Sequence, residues 1–237
     1  MKIIEMKEKK KIDKIKNHFE EEAKEFDGII LKLIPFYKEM LEALILSIPF
    51  EKNSEIEVID LGCGTGNILD KVKKQFPNAK LTAVDLSKNM IEMTKIKLEK
   101  YNDVDYYVGD FYNFEFLKKY DVILSSLALH HLVTDEDKKI FYNKIYNALS
   151  QNGVFYNADV VLGSNYKVQD VYMNKWIEFM KKSCSIDEIE NIWLEKYQEE
   201  DSPTTLINHL NWLEEIGFKD IDVIWKYYNY SVYGGKK

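Results

Sequence analysis

The sequence predicts an α/β fold, in which a mostly parallel β-sheet is covered by helices on both faces. From about residue 55, short apolar runs alternate with amphipathic stretches, and a glycine-rich turn follows the first run. Strands that alternate with helices pair in parallel, because each helical crossover returns the chain to the same end of the sheet. With 237 residues, the chain can form one large domain, or one domain with a sizeable insertion.

Residues 1–50 are predicted to form a helical arm. Apolar residues recur in it at steps of three and four, which places them on one helix face: Ile12, Ile15, Phe19, Ala23 and Phe26. This face fits a lid over a ligand, and a docked structural helix explains it equally well.

Seven strands are predicted in the remainder of the chain, residues 51–237. The first five are predicted at 55–60, 80–85, 104–109, 120–125 and 153–158. Helices are predicted between them at 67–76, 88–101 and 136–149. A helical insertion at about 162–216 follows the fifth strand, and strands at 220–225 and 228–233 complete a Rossmann-like, doubly wound, seven-stranded sheet.

The charge balance disfavours direct nucleic-acid binding. The chain carries a net charge of −7, which repels a phosphate backbone. It contains no arginine, so all 33 of its basic residues are lysines. The guanidinium group of arginine binds carboxylates and phosphates through two parallel hydrogen bonds, so its absence also disfavours firm anion recognition.

The composition favours a cytoplasmic protein without a membrane segment. Two cysteines, Cys63 and Cys184, imply no disulfide framework and suit a reducing compartment. The first ten residues lack the apolar run of a secretory signal. Charged residues such as Lys32 and Glu39 interrupt the apolar stretches, which are far shorter than a membrane span.

The strongest motif lies at the end of the first predicted strand. Gly62, Gly64 and Gly66 occupy every second position, after a strand and before an amphipathic helix. Glycine accepts positive φ and lets a ligand approach the bare backbone. This strand–turn–helix context predicts a nucleoside-binding site.

Two acidic residues follow the next two strands. Asp85 ends the second strand, where a carboxylate can accept both ribose hydroxyls of a nucleoside. Asp110 follows the third strand, where a carboxylate can bond an adenine amino group while Phe111 lies on the ring. A dinucleotide site would also use the glycines and Asp85. Asp60, before the glycines, instead suits an ammonium group, whereas a dinucleotide site needs a free helix N-terminus for pyrophosphate.

The run from Asp60 to Gly66, with Asp85 and Asp110, resembles the motif set of class I S-adenosylmethionine-dependent methyltransferases. The resemblance covers about residues 55–160. It implies that S-adenosylmethionine is the cofactor, with S-adenosylhomocysteine as product. It also implies that the glycine turn holds methionine and ribose, Asp85 the ribose, and Asp110 with Phe111 the adenine.

The flanks resemble carboxy-S-adenosylmethionine synthase and its methyltransferase relatives, a group linked to modification of a tRNA wobble uridine. By this resemblance Tyr37 lies against the cofactor, and Ser125 replaces an asparagine of that group. The complete predicted cofactor-binding set is Tyr37, Asp60, Gly62, Cys63, Gly64, Gly66, Asp85, Leu86, Asp110, Phe111 and Ser125. That synthase holds the extra carboxylate of its product with an arginine, and Trp212 stands there in this chain. Ordinary methyl transfer to a small-molecule acceptor is therefore favoured over carboxylated-donor synthesis.

His130 and His131 follow the fourth strand, at the edge where open α/β sheets bind ligands. Either one is a candidate general base, and a turn-forming role is the alternative. With Asp159 they could form a metal site, but the spacing matches no recognised ligand signature and no metal is predicted.

The remaining questions concern aromatic residues, catalysis and assembly. The aromatic residues of the last strands and of the insertion are expected mainly in the core, with an acceptor pocket as the alternative: Tyr227, Tyr228, Tyr230, Tyr233, Trp176 and Trp193. A cofactor-binding protein that has lost catalysis is a third functional class, and a homodimer is left open.

Overall fold

The computed structural model describes the backbone of residues 2–237 and the side chains of residues 9–237. Met1 and the side chains up to residue 8, which include most of the segment expected to lack a secretory signal, lie outside the described residues. Within the described part of the chain, no helix has both the length and the apolar character that a bilayer span requires.

Seven strands form one sheet in the order β3-β2-β1-β4-β5-β7-β6. The strands are β1 (Glu57–Leu61), β2 (Lys80–Asp85), β3 (Val104–Val108), β4 (Tyr120–Ser126), β5 (Leu149–Val160), β6 (Lys219–Tyr227) and β7 (Tyr230–Lys236). Strands β1 to β5 pair in parallel, whereas β7 runs antiparallel to both β5 and β6. The predicted mostly parallel, doubly wound fold is confirmed.

Helices flank this sheet and fill the two predicted helical zones. They are α1 (Lys2–Glu22), α2 (Phe26–Leu33), α3 (Tyr37–Leu46), α4 (Asn67–Gln75), α5 (Lys88–Leu98), α6 (Asp135–Ala148), α7 (Tyr166–Met180), α8 (Ile186–Glu188), α9 (Leu194–Glu200) and α10 (Leu206–Ile216). A 3₁₀ turn, Leu129–His131, follows β4, and a π-helical turn, Ile189–Trp193, joins α8 to α9. The proposed division into an arm and a domain at residue 50 stays a prediction.

The central strands are buried on both faces, which explains their continuous apolar runs. Alternate residues of β1 enter different cores, because side chains of a strand point to opposite faces. Val58 packs with the helices α2, α3, α4, α5 and α7, whereas Ile59 packs with α6 and α10. The sheet is therefore packed between helices on both faces, and the candidate functional site described below lies at its carboxyl edge.

The helical arm is fastened across that edge by polar contacts. The carboxylate of Glu20, in α1, accepts hydrogen bonds from the backbone N–H groups of Lys88 (2.8 Å) and Asn89 (2.9 Å) at the start of α5. Lys11, also in α1, donates to the Ser202 hydroxyl at 2.8 Å. In the next part of the arm, the Leu33 carbonyl accepts from the Trp176 indole of α7 at 2.8 Å. The arm therefore joins both the sheet layer and the insertion.

Candidate functional site

A cavity of about 920 Å³ lies at the carboxyl ends of β1, β2, β3 and β4, beneath the arm. We call it the first cavity. Its lining comes from the glycine turn, the residues after β2, β3 and β4, and the helices α1, α2 and α3. The lining residues predicted from sequence as cofactor-binding or catalytic are Tyr37, Gly62, Cys63, Gly64, Asp85, Leu86, Asp110, Phe111 and His131.

The glycine turn requires glycine for two separate reasons. Gly62 and Gly66 have φ values of 75° and 83°, in the left-handed region where side chains are strained. A Cβ at Gly62 would also lie 2.3 Å from the Cβ of Ala128, a distance that no folded structure tolerates. Gly64 lies under the arm, since a Cβ there would approach the ring of Phe26 to 3.6 Å. The turn is thus packed against both the loop after β4 and the arm.

Asp85 is held at the end of β2 by two backbone donors. One carboxylate oxygen accepts from the Gly64 N–H at 2.8 Å, and the other accepts from the Ser87 N–H at 2.8 Å. Burial raises the pKa of Asp85 to about 6, although these two hydrogen bonds favour the charged form. Asp85 lines the first cavity, so its carboxylate is placed to accept hydrogen bonds from a ligand.

Asp60 is buried in β1, and neither of its carboxylate oxygens has a hydrogen-bond partner among the described residues. Burial, and then the nearby carboxylate of Asp85, raise its pKa well above the usual range. A buried carboxylate without a partner is costly. It can be stabilised by a cation, and the neighbouring first cavity is the space in which a ligand could supply one.

The carboxylate of Asp110 accepts hydrogen bonds mainly from residues of its own turn. Its Oδ1 accepts from the backbone N–H groups of Tyr112 at 2.9 Å and Asn113 at 3.0 Å. The following residue, Phe111, packs on Phe141 with ring centroids 5.0 Å apart, and it lies beside Gly62. The aromatic ring therefore has a fixed position on the wall of the first cavity.

Three residues of the predicted set lie behind the cavity wall. Ser125 donates to the Leu61 carbonyl at 2.7 Å and holds β4 to β1. A Cβ at Gly66 would lie 2.9 Å from Thr94, so this glycine seats the turn on α5. Asp60 is likewise behind the lining, beneath the turn.

Sequence reasoning missed several lining residues. They include Thr65, Asn67, Ile68, Met90, Tyr112, Leu127, Ala128 and Leu132. From the predicted arm face, Ile12, Ile15, Phe19 and Phe26 line the cavity, as a lid would. The Thr65 hydroxyl donates to the Asp27 carboxylate at 2.6 Å, which ties the glycine turn to α2 and has no sequence signature.

A second cavity, of about 790 Å³, lies between the arm and the insertion. It shares four lining residues with the first cavity, which are Phe19, Phe26, Leu127 and His131. Its other walls include Trp176, Trp193, Tyr197 and Tyr230. The expectation that these aromatic residues serve mainly the core is confirmed for Tyr230, Tyr233 and Trp176, which are buried. Tyr227, Tyr228 and Trp193 are only partly buried.

The two adjacent histidines have opposite protonation preferences. Burial disfavours the charged form of His130, but Asp201 and Asp159 outweigh it and raise the pKa of His130 to about 10. Burial, and then the neighbouring charged His130, lower the pKa of His131 to about 4. The two rings are 4.1 Å apart between centroids. At neutral pH, His130 therefore carries a proton, and His131 is a neutral imidazole between the two cavities.

His130 is fixed by acidic groups from two distant segments. Its Nδ1 lies 2.5 Å from Asp159 Oδ1, in β5, and its Nε2 lies 3.3 Å from Asp201 Oδ1, just after α9. Asp201 is also 3.5 Å from His131 Nδ1. Asp159 is therefore paired with His130. The acidic residue that lies close to both histidines is Asp201. No motif pointed to Asp201.

The outer rim of the second cavity is an ion-pair network. His18 Nδ1, in α1, lies 2.5 Å from the Glu200 carboxylate of α9. Lys196 contacts the Glu22 carboxylate and lies 2.8 Å from His18 Nε2. The cationic groups of this rim, His18 and Lys196, are therefore already paired with carboxylates. Trp212, by contrast, packs on Tyr142 in the core and lines neither cavity.

Comparison with known proteins agrees with this geometry. Residues 58–153 match a family model described as a methyltransferase domain. Over 233 residues, the chain is 26% identical to the carboxy-S-adenosyl-L-methionine synthase of Nautilia profundicola, covering 94% of this chain and 95% of that protein. It is 25% identical to the protein of the same name from Helicobacter pylori strain HPAG1, covering 92% of each.

Solved structures of low sequence identity share the fold. An O-methyltransferase family protein from Burkholderia thailandensis superposes with a TM-score of 0.66 at 13% identity, covering 91% of this chain and 59% of that one. A structure described as a DhpI-SAM-HEP complex gives a TM-score of 0.63 at 15% identity, covering 92% and 94%. Human N-acetylserotonin methyltransferase in complex with SAM gives 0.55 at 19% identity over 84% of this chain, which spans 51% of that protein.

Proposed function

Because residues 58–153 match a model of a methyltransferase domain, we propose that the chain transfers the methyl group of S-adenosylmethionine to a small-molecule acceptor. The observation that carries the proposal is the pair of cavities that meet at Phe19, Phe26, Leu127 and His131. A donor in the first cavity and an acceptor in the second would face each other across this shared wall.

The donor's parts match the groups around the first cavity. The unpartnered carboxylate of Asp60 would balance the methionine ammonium group, and Asp85 would accept the ribose hydroxyls. Asp110 and Phe111 would hold the adenine, while Tyr37, Cys63 and Leu86 would form the walls. Gly62 and Gly64 would bring bare backbone to the ligand, whereas Gly66 and Ser125 would keep the turn in place.

Methyl transfer from a sulfonium is an in-line displacement. The acceptor atom forms a bond to the methyl carbon, the carbon–sulfur bond breaks, and its electron pair stays on sulfur to give S-adenosylhomocysteine. The donor is already activated, so the protein mainly aligns the two reactants and excludes water. An acceptor that must lose a proton could pass it to the neutral imidazole of His131.

Calorimetry with S-adenosylmethionine and S-adenosylhomocysteine tests the donor, and mass spectrometry of a panel of acceptors tests the transfer. We expect saturable binding of both nucleosides and a gain of one methyl group on an acceptor. Replacing His131 with Gln should lower kcat by about 10²-fold, the usual effect of losing a general base, with the affinity for S-adenosylhomocysteine unchanged. Absence of saturable nucleoside binding would overturn the proposal.

A second candidate is synthesis of a carboxylated donor, as the names of the full-length relatives suggest. Similarity along 94% of this chain favours it. The side chains around the first cavity argue against it, because neither lysine nor arginine is among its described lining residues. Mass spectrometry of the nucleoside that copurifies with the protein separates the two functions, since a carboxylated species would replace methyl transfer as the conclusion.

Three further properties stay predictions. Cytoplasmic localisation is inferred from the low cysteine content, and the absence of direct nucleic-acid binding from the net charge of −7. A homodimer is an open alternative that size-exclusion chromatography with light scattering would decide.

A further inference from the structure

Three side chains beside the shared wall converge on a small volume. His130 Nε2 and His131 Nδ1 lie 3.3 Å and 3.5 Å from the same oxygen, Oδ1 of Asp201. One ligand atom from each residue lies within 4.8 Å of the other two. The side chains of His131 and Asp201 are only 14% and 18% exposed, so the group is sheltered and still borders the second cavity.

These separations suit ligands of one metal ion. Zinc binds imidazole nitrogen and carboxylate oxygen at about 2.0–2.1 Å in a tetrahedron, which places neighbouring ligand atoms about 3.3 Å apart. The two shorter separations therefore need almost no rearrangement. The third, between the two imidazole nitrogens, is at most 4.8 Å.

The surroundings of His130 also fit such a role. Asp159 holds the Nδ1 side of the ring at 2.5 Å and directs Nε2 toward Asp201. A carboxylate behind a histidine ligand fixes the ring orientation and the tautomer, and it raises the basicity of the metal-binding nitrogen. Asp159 is itself bonded by the amide of Asn157 at 3.2 Å and by the backbone N–H of His130 at 3.1 Å, so its position is well determined.

We propose that His130, His131 and Asp201 bind one divalent transition-metal ion, with Zn²⁺ as the best fit. Binding displaces the proton that faces Asp201 on His130, and it replaces the contact of His131 Nδ1 with the Glu200 carbonyl at 3.3 Å. Two imidazoles and one carboxylate suit zinc and its neighbours, whereas calcium and magnesium require more oxygen ligands. Three protein ligands leave the fourth tetrahedral position open. All three residues line the second cavity, from which water or a ligand oxygen could reach that position.

The use of this metal in the reaction rests on the proposed function, although the binding of the metal does not. A hydroxyl group of the acceptor at the open position would have a lowered pKa and would lose its proton to water. The resulting oxygen would attack the methyl carbon, and the carbon–sulfur electron pair would leave with sulfur. In that state, His131 is a metal ligand, and the metal takes over the preparation of the nucleophile.

The test measures metal binding on the full chain after chelator treatment, with no nucleoside present. Calorimetry with ZnCl₂ is expected to give one ion per chain with a micromolar or tighter Kd. Replacing His131 with Gln or Asp201 with Asn is expected to weaken binding at least tenfold. Asp170→Asn is the control, because Asp170 is an exposed residue of α7 in the same insertion and outside the group, and the Kd for zinc should change less than twofold.

Substitution with Co²⁺ gives a readout that does not depend on variants. The visible spectrum of the wild-type chain should show tetrahedral nitrogen and oxygen ligands without a thiolate band. Three results would overturn the proposal: no stoichiometric uptake, unchanged affinity in folded His131→Gln and Asp201→Asn variants, or an equal loss in Asp170→Asn. Intact binding of S-adenosylhomocysteine alongside absent zinc binding removes the metal site only, whereas the reverse pattern removes the proposed function only.

Discussion

The two cavities differ in how the chain builds them. The polar groups of the first cavity come from strand ends, and the glycine turn lies directly between β1 and α4. The second cavity depends on contacts between distant segments, such as the bond between His18 and Glu200, which are 182 positions apart. A site at a sheet edge is set by local sequence, whereas a site between helices is set by the packing of the whole molecule.

The largest effect is expected at Asp85, and it tests whether residues at the strand ends form the binding site of the first cavity. Asp85→Ala removes the proposed ribose acceptor and the partner of the Gly64 N–H, so we expect an affinity loss of about 10²-fold for S-adenosylhomocysteine by calorimetry. Asp105→Asn is the control, since Asp105 is an exposed residue of the neighbouring strand β3. Equal affinity in the wild type and a folded Asp85→Ala variant would remove Asp85 from the site.

Two glycine substitutions compare how tightly the glycine turn and the arm are packed, through the free energy of unfolding. Gly62→Ala combines positive φ with a clash against Ala128, so we expect a loss of about 2–3 kcal/mol in the free energy of unfolding. Gly28→Ala in α2 meets no atom within 4 Å and should gain up to about 1 kcal/mol. Urea denaturation followed by circular dichroism measures both. A tolerated Gly62→Ala would show that the turn is not tightly packed.

The pH response should also distinguish the cavities. The pKa of Asp85 is about 6, and binding to ribose hydroxyls uses the ionised form, so donor affinity should fall by up to about tenfold per unit as pH drops below 6. His130 and His131, with pKa values of about 10 and 4, keep one charge state between pH 5 and 8. Calorimetry across this range, with Asp85→Asn as control, checks the assignment, and a pH profile that is the same in the variant as in the wild type contradicts it.

The smallest expected effect concerns the fastening of the arm over both cavities. Glu20→Gln weakens the cap on the start of α5, so we expect a loss of about 0.5–1 kcal/mol and a several-fold faster release of S-adenosylhomocysteine. Hydrogen exchange across α1 should accelerate in parallel. Glu21→Gln, an exposed neighbour on the same helix, is the control. Equal exchange in both variants would mean that other contacts hold the arm.

Sequence reasoning predicted the strand ends well, because burial on both faces produces continuous apolar runs there. The predicted fifth strand, 153–158, is shorter than the observed β5, Leu149–Val160. The polar residues Ser150, Gln151 and Asn152 interrupt the apolar pattern over the first part of this strand. Sequence reasoning also placed β7 two residues early, since the aromatic run continues through the tight turn before Tyr230.

The second cavity shows what local patterns leave out. His130 and His131 were predicted as an equivalent pair, yet only His131 reaches the first cavity. Their pKa values are separated by Asp159 and Asp201, which lie 29 and 71 positions beyond His130 along the chain. Asp201 belongs to a helical insertion without any motif. Its approach to the histidines results from the packing of α9 against α1, which no short segment encodes.

The position of β7 has a consequence for synthesis on the ribosome. This strand is the last of the seven to emerge, yet it lies between β5 and β6 in the sheet. Until it has left the exit tunnel, the nascent chain can assemble only the five parallel strands, with the long edge of β5 unpaired and β6 without a place to dock. An exposed edge of this kind can pair with other unfinished chains, so the nascent protein should be most prone to aggregation before β7 is available to cover it.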